Sequence, residues 1–137
     1  MSPSTRISGF VINKKISRDH DCIVTIFSRE HGKIYAIAPG ASRVNSRRNG
    51  HMDTATLSEF ELQEQDENRM PRIRSCMNLN PYKTIKKYLP SSALVLSIFS
   101  DINKSLPLQM SIPGVFPLLK SLLDWLEEKS HITKNES

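Results

Sequence analysis

A mainly β fold with helices at its C-terminal end is what this sequence predicts, on three observations. Up to about residue 79 the chain reads as five short apolar segments with the two-residue alternation of strands. The connectors joining the first three are short and polar, and from about residue 91 the apolar spacing becomes helical. Short connectors imply antiparallel neighbours, and five strands are too few for a sandwich, which takes about seven. The expected architecture is a five-stranded antiparallel barrel of the OB type over residues 1–80, followed by two short helices within a helical appendage, 81–137.

Each element has its own justification. "GFVINKKI" sets Phe10 and Ile12 on one face and Val11 on the other before running into Lys14 and Lys15. "CIVTIF" is apolar on both faces, as in a central strand, and "KIYAIA" alternates Ile34, Ala36 and Ala38 against Lys33, Tyr35 and Ile37. "TATLSEFEL" puts Leu57 out of phase with Phe60 and Leu62, which predicts a bulge near Ser58. "RIRSCMNL" alternates Ile73, Met77 and Leu79 inward with Arg72 and Arg74 outward. The turns are "SRDHD" and "REHG", the second with a glycine suited to positive φ. Beyond "NPYKT", one helix is expected to bury Leu94, Val95, Ile98, Phe99 and Ile102. A second is expected to bury Leu118, Leu119, Leu122, Trp125 and Leu126, with Pro117 in its first turn. Their apolar faces need a cover: the barrel, a second copy in a homodimer, or a further part of the protein.

Composition narrows the function. At 137 residues with 38% hydrophobic content the chain is one domain, or one with an appendage, and buries a core. Cys22 and Cys76 are far apart and form no C-x-x-C pair, so neither a zinc site nor a disulfide framework is expected. The first ten residues carry no apolar signal core and no apolar run is long enough to span a bilayer, so the expectation is a soluble cytoplasmic protein with no membrane contact. No Walker loop, nucleophile elbow or H-E-x-x-H helix is present, so no enzyme and no cofactor are expected. His20, between Asp19 and Asp21, reads as a turn residue and not as a metal ligand.

The net charge of +5 is zoned. Residues 1–51 hold nine Lys/Arg against three acids, 52–70 one against six, 71–90 five against none, and 91–137 four against five. Such zoning points to an anionic partner on one face. Its centre is "APGASRVNSRRNG", with Arg43, Arg47 and Arg48 and no acid. Guanidinium forks bind phosphate bidentately but do not discriminate bases from a flexible loop, so binding would be sequence-independent and salt-sensitive; the alternative is a solvated loop. Arg72 and Arg74, with Lys83, Lys86 and Lys87, form a second basic group that either extends the surface or faces solvent. Tyr35 and Phe27 share the parity of Lys33 and Arg29 and are stacking candidates, although burial is the commoner fate of such rings.

The order of parts carries a resemblance: "GFV" opening the first strand, an Asp before "IVT", "REHGK" at the next turn, "A-x-G-A" ending the third strand, the spaced arginines, and "EFEL". In these the chain resembles the N-terminal domain of the bacterial recombination mediators of the RecO family, over about the first 80 residues. The resemblance implies an OB-fold domain that binds single-stranded and duplex DNA, anneals strands, helps load recombinase onto coated single strands, and partners RecR and the single-stranded-DNA-binding protein. It makes Arg43, Arg47, Arg48, Lys14, Lys15, Arg29 and Lys33 the expected DNA-facing set. Two departures stand out. The chain has two helices where the family usually continues into a larger helical domain, as a naturally short or truncated relative would. The connection between the fourth and fifth strands is acidic through Glu64, Asp66 and Glu67 and should repel phosphate. The runner-up reading is a protein-interaction module that docks a repair partner such as RecR and binds little DNA itself, and RNA binding is a third.

Overall fold

The computed structural model describes residues 4–16, 21–38, 54–64, 70–87, 89–110 and 112–136. Five strands form: β1 (Ser4–Ile16), β2 (Cys22–Ser28), β3 (Gly32–Ala38), β4 (Leu57–Gln63) and β5 (Arg72–Asn80). They close into a barrel in the order β1-β2-β3-β5-β4, with β1 returning to β4. The sheet is mixed and not wholly antiparallel. β3 and β5 run parallel where the barrel closes, meeting at Ile37 and Arg72, and the Ile37 N–H donates to the Pro71 carbonyl at 2.9 Å. That parallel seam follows from the order itself, because β4 is inserted between β5 and β1 and reverses the direction in which the chain comes back to β3. The strand order and connectivity are those of an OB-type Greek key.

β1 is long because it serves two neighbours along thirteen residues, β4 through Ser4–Phe10 and β2 through Gly9–Ile16. Both of its faces are buried at their middle. Ile7 and Val11 join Val24, Ile26, Ile34, Ala36, Phe60, Leu62 and Ile73 inside the barrel, while Phe10 and Ile12 join Phe27 and Leu57 outside it, beneath the helices. The "GFV" opening is explained by close approach: a Cβ on Gly9 would lie 2.5 Å from the Phe27 carbonyl oxygen and 2.9 Å from Ser28 Cα, so β1 and β2 touch only without a side chain there. Gly32 takes φ +69° in the β2–β3 turn, the conformation expected of it.

The β4–β5 pairing slips twice. Leu57 faces Asn80 and Ser58 faces Asn78, so the extra residue here is Leu79 on β5. β4 itself runs in unbroken register along β1 without the bulge expected in it, and Leu57 is out of phase with Phe60 and Leu62 because it packs on the outer face beneath the helices. Glu61 faces Ser75 and Leu62 faces Ile73, so Arg74 is an extra residue on β5. This second bulge overturns the simple alternation expected for β5. Past Arg74 the parity inverts, Cys76 packs against the barrel interior, and Met77 and Leu79 point to solvent.

Three helices follow where two were expected, and the two longer ones are not short: α1 (Lys83–Lys87), α2 (Leu89–Ser105) and α3 (Val115–Glu136). Val95 and Phe99 of α2 and Phe116, Leu119, Leu123 and Leu126 of α3 cover Phe10, Ile12 and Phe27 on the outside of the barrel. The buried stripe of α3 is therefore rotated from the one expected, and Leu118 and Trp125 are exposed. Phe116 anchors that rotation: its ring lies 5.4 Å from Phe10 and meets Phe27 edge-on at 6.0 Å. No helix among the described residues is long and apolar enough to cross a membrane.

Candidate nucleic-acid surface

The register assembles the surface. Lys15 is paired with Ile23, Ile23 with Ile37, and Ile37 with Arg72, so one row of side chains crosses β1, β2, β3 and β5 on the outside of the barrel. The next row is Asn13, Thr25 and Tyr35. Three steps between neighbouring strands separate Lys15 from Arg72 by about 14 Å measured along the curved sheet. Ile23 and Ile37 are half-buried between them, and Tyr35 is half-buried in the adjoining row, giving an apolar floor with a cation at each side. Neither Lys15, Arg72 nor Arg74 has a carboxylate partner among the described residues. Lys14 precedes Lys15 on the opposite side of the strand, in register with Val24.

These residues gather at the end of the barrel where β1 leaves for β2 and where β4 and β5 are joined. Ala38 is at the same end, paired with Cys22, and the arginine segment joins β3 there. Arg43, Arg47 and Arg48 themselves, like His20, Asp66 and Glu67, lie outside the described residues. Glu64 is exposed at this end. The outward side chains of β4, Glu59 and Glu61, make the adjacent part of the barrel acidic; Arg6 approaches Glu59 at 3.6 Å. The basic row thus has an edge, beyond which phosphate is repelled.

Two residues expected in the DNA-facing set sit at the other end. Arg29, in the β2–β3 turn, is exposed but lies 5.3 Å over the Phe116 ring. Lys33 is 6% exposed, and its ammonium donates to the Asn103 carbonyl in the last turn of α2 at 2.8 Å. The Lys33 carbonyl in turn accepts from the Gln109 N–H at 2.7 Å, tying the α2–α3 connection to the edge of β3. Lys33 therefore caps a helix C-terminus, a role for which a cation suits the carbonyl end of the dipole. Phe27, 3% exposed, is core and not a stacking platform.

The helical layer is locked by polar groups that the sequence reading passed over. The Tyr82 hydroxyl donates to Asp124 at 2.7 Å, and Lys120 donates to the same carboxylate at 2.9 Å. Glu127 accepts from the N–H groups of Thr84 and Ile85, each at 2.9 Å. Burial, with help from the Asp124 carboxylate, pushes the Tyr82 hydroxyl well above its ordinary pKa. Partial burial alone would raise Asp124, but the hydrogen bonds from Lys120 and Tyr82 prevail and hold it below its ordinary value. Lys86 reaches Thr56 at 2.6 Å, which removes it from the solvent-facing reading of the second basic group. Only helical neighbours four apart, such as Lys120 and Asp124, were within reach of a pattern search; Glu127 meets α1 across more than forty residues of chain.

The class of protein this describes is a small OB-type barrel, buttressed on one outer side by helices and carrying a basic row, bordered by acids, at one end. Residues 1–82 match the family described as "Recombination protein O N terminal", and the chain belongs to that family. Among curated proteins it is similar to the DNA repair protein RecO of Syntrophus aciditrophicus, at 29% identity over 125 residues, covering 90% of this chain and 48% of that one. It is also similar to the RecO of Syntrophobacter fumaroxidans, at 26% identity over 125 residues, with 91% and 49% covered. The chain spans about half the length of these relatives. Among solved structures a chain of the S. pombe Stn1-ten1 complex aligns at a TM-score of 0.43 and 11% identity, over 72% of this chain and 76% of that one.

Proposed function

We propose that the chain is a DNA-binding protein of recombinational repair that holds strands by their backbones. The observation that carries the reading is the convergence of Lys14, Lys15, Arg72 and Arg74 on one end of the barrel, where the arginine segment joins β3, with Tyr35 in the row next to that of Lys15 and Arg72. OB barrels present this part of the sheet to oligonucleotides, and here the acidic β4–β5 connection would bound the track and not carry it. Cations screening two strands at once would lower their mutual repulsion, which favours annealing and the loading of recombinase without consuming nucleotide. Contacts with RecR and with the single-stranded-DNA-binding protein belong to this reading by family membership. Exposed Leu94, Leu118 and Trp125 on the helices offer a surface for self-association or for a protein partner.

The test is fluorescence anisotropy of labelled single-stranded and duplex DNA over a salt series. Each phosphate neutralised contributes a log–log slope of about −0.7 on single strands and about −0.9 on duplex. A steep linear fall in affinity with salt is expected. An absence of binding at about 50 mM salt would overturn the reading and leave the protein-interaction module in its place.

A further inference from the structure

We propose that Tyr35 gives this surface a preference for unpaired strands, by stacking one base between the cations of Lys15 and Arg72. The inference rests on the DNA-binding reading and deepens it. Three observations point to it. Tyr35 faces outward from β3, half-exposed, because Ile34 and Ala36 on either side of it fill the barrel. Its cross-strand neighbour is the small Thr25, 3% exposed, so the ring lies at the open margin of a covered patch, and its hydroxyl makes no hydrogen bond among the described residues. Further along the same sheet face, Phe10 and Phe27 are sealed beneath Phe116 and Phe99. Among the described residues Tyr35 is therefore the only aromatic ring on the open half of this face.

The consequence is physical. In a duplex the base faces are already stacked on each other, so a duplex gains from Lys15 and Arg72 but nothing from the ring. An unpaired strand crossing the row meets a cation, the aliphatic floor of Ile23 and Ile37, and a second cation, with Tyr35 beside them to take one base. Stacking on a ring is tolerant of sequence because every base has a π face. The charge at each side commits the face to a polyanion, and the apolar floor between them commits it to one with accessible bases.

The experiment compares wild type, Tyr35→Leu and Tyr35→Phe on a short oligothymidylate, the same length bearing abasic sites, and a duplex. Tyr35→Leu keeps an apolar side chain on the sheet and removes the ring. It is expected to weaken binding to the oligothymidylate by roughly five- to one-hundred-fold, the worth of one stacked base. Duplex and abasic-strand affinities and the salt slope should stay as in wild type, and Tyr35→Phe should bind like wild type. Unchanged duplex binding by the leucine variant also certifies that it is folded. Equal losses on all three probes, or none on any, overturn the stacking inference while leaving the DNA reading intact. Failure of wild type to bind any of the three overturns the DNA reading, and this inference with it.

Discussion

Lys33 separates what the sequence invites from what the structure assigns, and Lys33→Met is the perturbation that measures the difference. Methionine preserves the apolar stem packed beneath the helices and deletes the ammonium that bonds Asn103 at 2.8 Å. The Lys33–Asn103 bond joins a charged donor to a carbonyl, and such bonds are worth about 1.5–3 kcal/mol. Interaction of a cation with the last turn of a helix is worth about 0.3–1 kcal/mol, up to about 2 when partly buried, and is not independent of that bond. A loss of about 2 kcal/mol is therefore expected. At about 4 °C per kcal/mol for a chain of this size, the melting temperature should drop by roughly 8 °C. Thermal denaturation followed by circular dichroism reads this directly, and anisotropy supplies the second readout: the salt slope on single-stranded DNA should not change. If Lys33 instead contacted phosphate, the slope would flatten by about 0.7 with little loss of stability. That pair of results would refute the assignment of Lys33 as a helix cap.

Gly9→Ala forces a Cβ to within 2.5 Å of the Phe27 carbonyl and 2.8 Å of Ile26 Cγ2, and two backbones must part to admit it. A destabilisation of about 2–3 kcal/mol by chemical denaturation is expected, and a variant within about 0.5 kcal/mol of wild type would contradict the close approach. Tyr82 sets the alkaline limit. Its folded pKa is raised, so above about pH 10 the unfolded chain releases a proton that the folded one keeps, and stability falls with pH by up to about 1.4 kcal/mol per unit. In Tyr82→Phe this component of the alkaline decline should vanish, and an unaltered profile would count against the buried hydroxyl. Asp124 acts with the opposite sign: its folded pKa is lowered, so its contribution is complete above the ordinary carboxylate pKa and is lost as acid carries the pH down through the folded value. Asp124→Asn should flatten that acid limb of the stability profile.

Much of the barrel was legible because its interior obeys strict alternation. Ile34, Ala36 and Ala38, or Phe60 and Leu62, announce one face each, whereas Leu57, falling out of phase, marks the opposite face of a regular strand, buried beneath the helices, and not a bulge. Where a bulge did intervene, in β5, the pattern misled: Arg74 is an ordinary residue in sequence, yet its insertion turns Met77 and Leu79 outward. The helix faces failed for another reason. Leu118, Leu119, Leu122, Leu123, Trp125 and Leu126 supply more apolar positions than one stripe needs, and the choice among them was made by Phe116 fitting against Phe10 and Phe27.

The candidate surface was half legible. Local charge marked Lys14, Lys15, Arg72 and Arg74, and β parity marked Tyr35, but nothing local says that Lys15 and Arg72 share a row. That depends on the shear of the closed barrel and on a single parallel pair. Lys33 and Arg29 lie at the other end of the barrel, against Asn103 and Phe116; that was not legible, because the parity that points a side chain away from the barrel interior does not reveal whether a helix waits there.

The most direct test of the account removes equal charge from the two ends of the barrel. Lys15, Arg72 and Arg74 are changed together to alanine in one variant, and Arg29, Lys83 and Lys87 in another, and each is titrated with single-stranded DNA across a salt series. The account predicts a slope flattened by about 2 in the first variant and left near the wild-type value in the second. Equal flattening in both would mean that DNA responds to net charge and not to this surface, and would contradict the central claim.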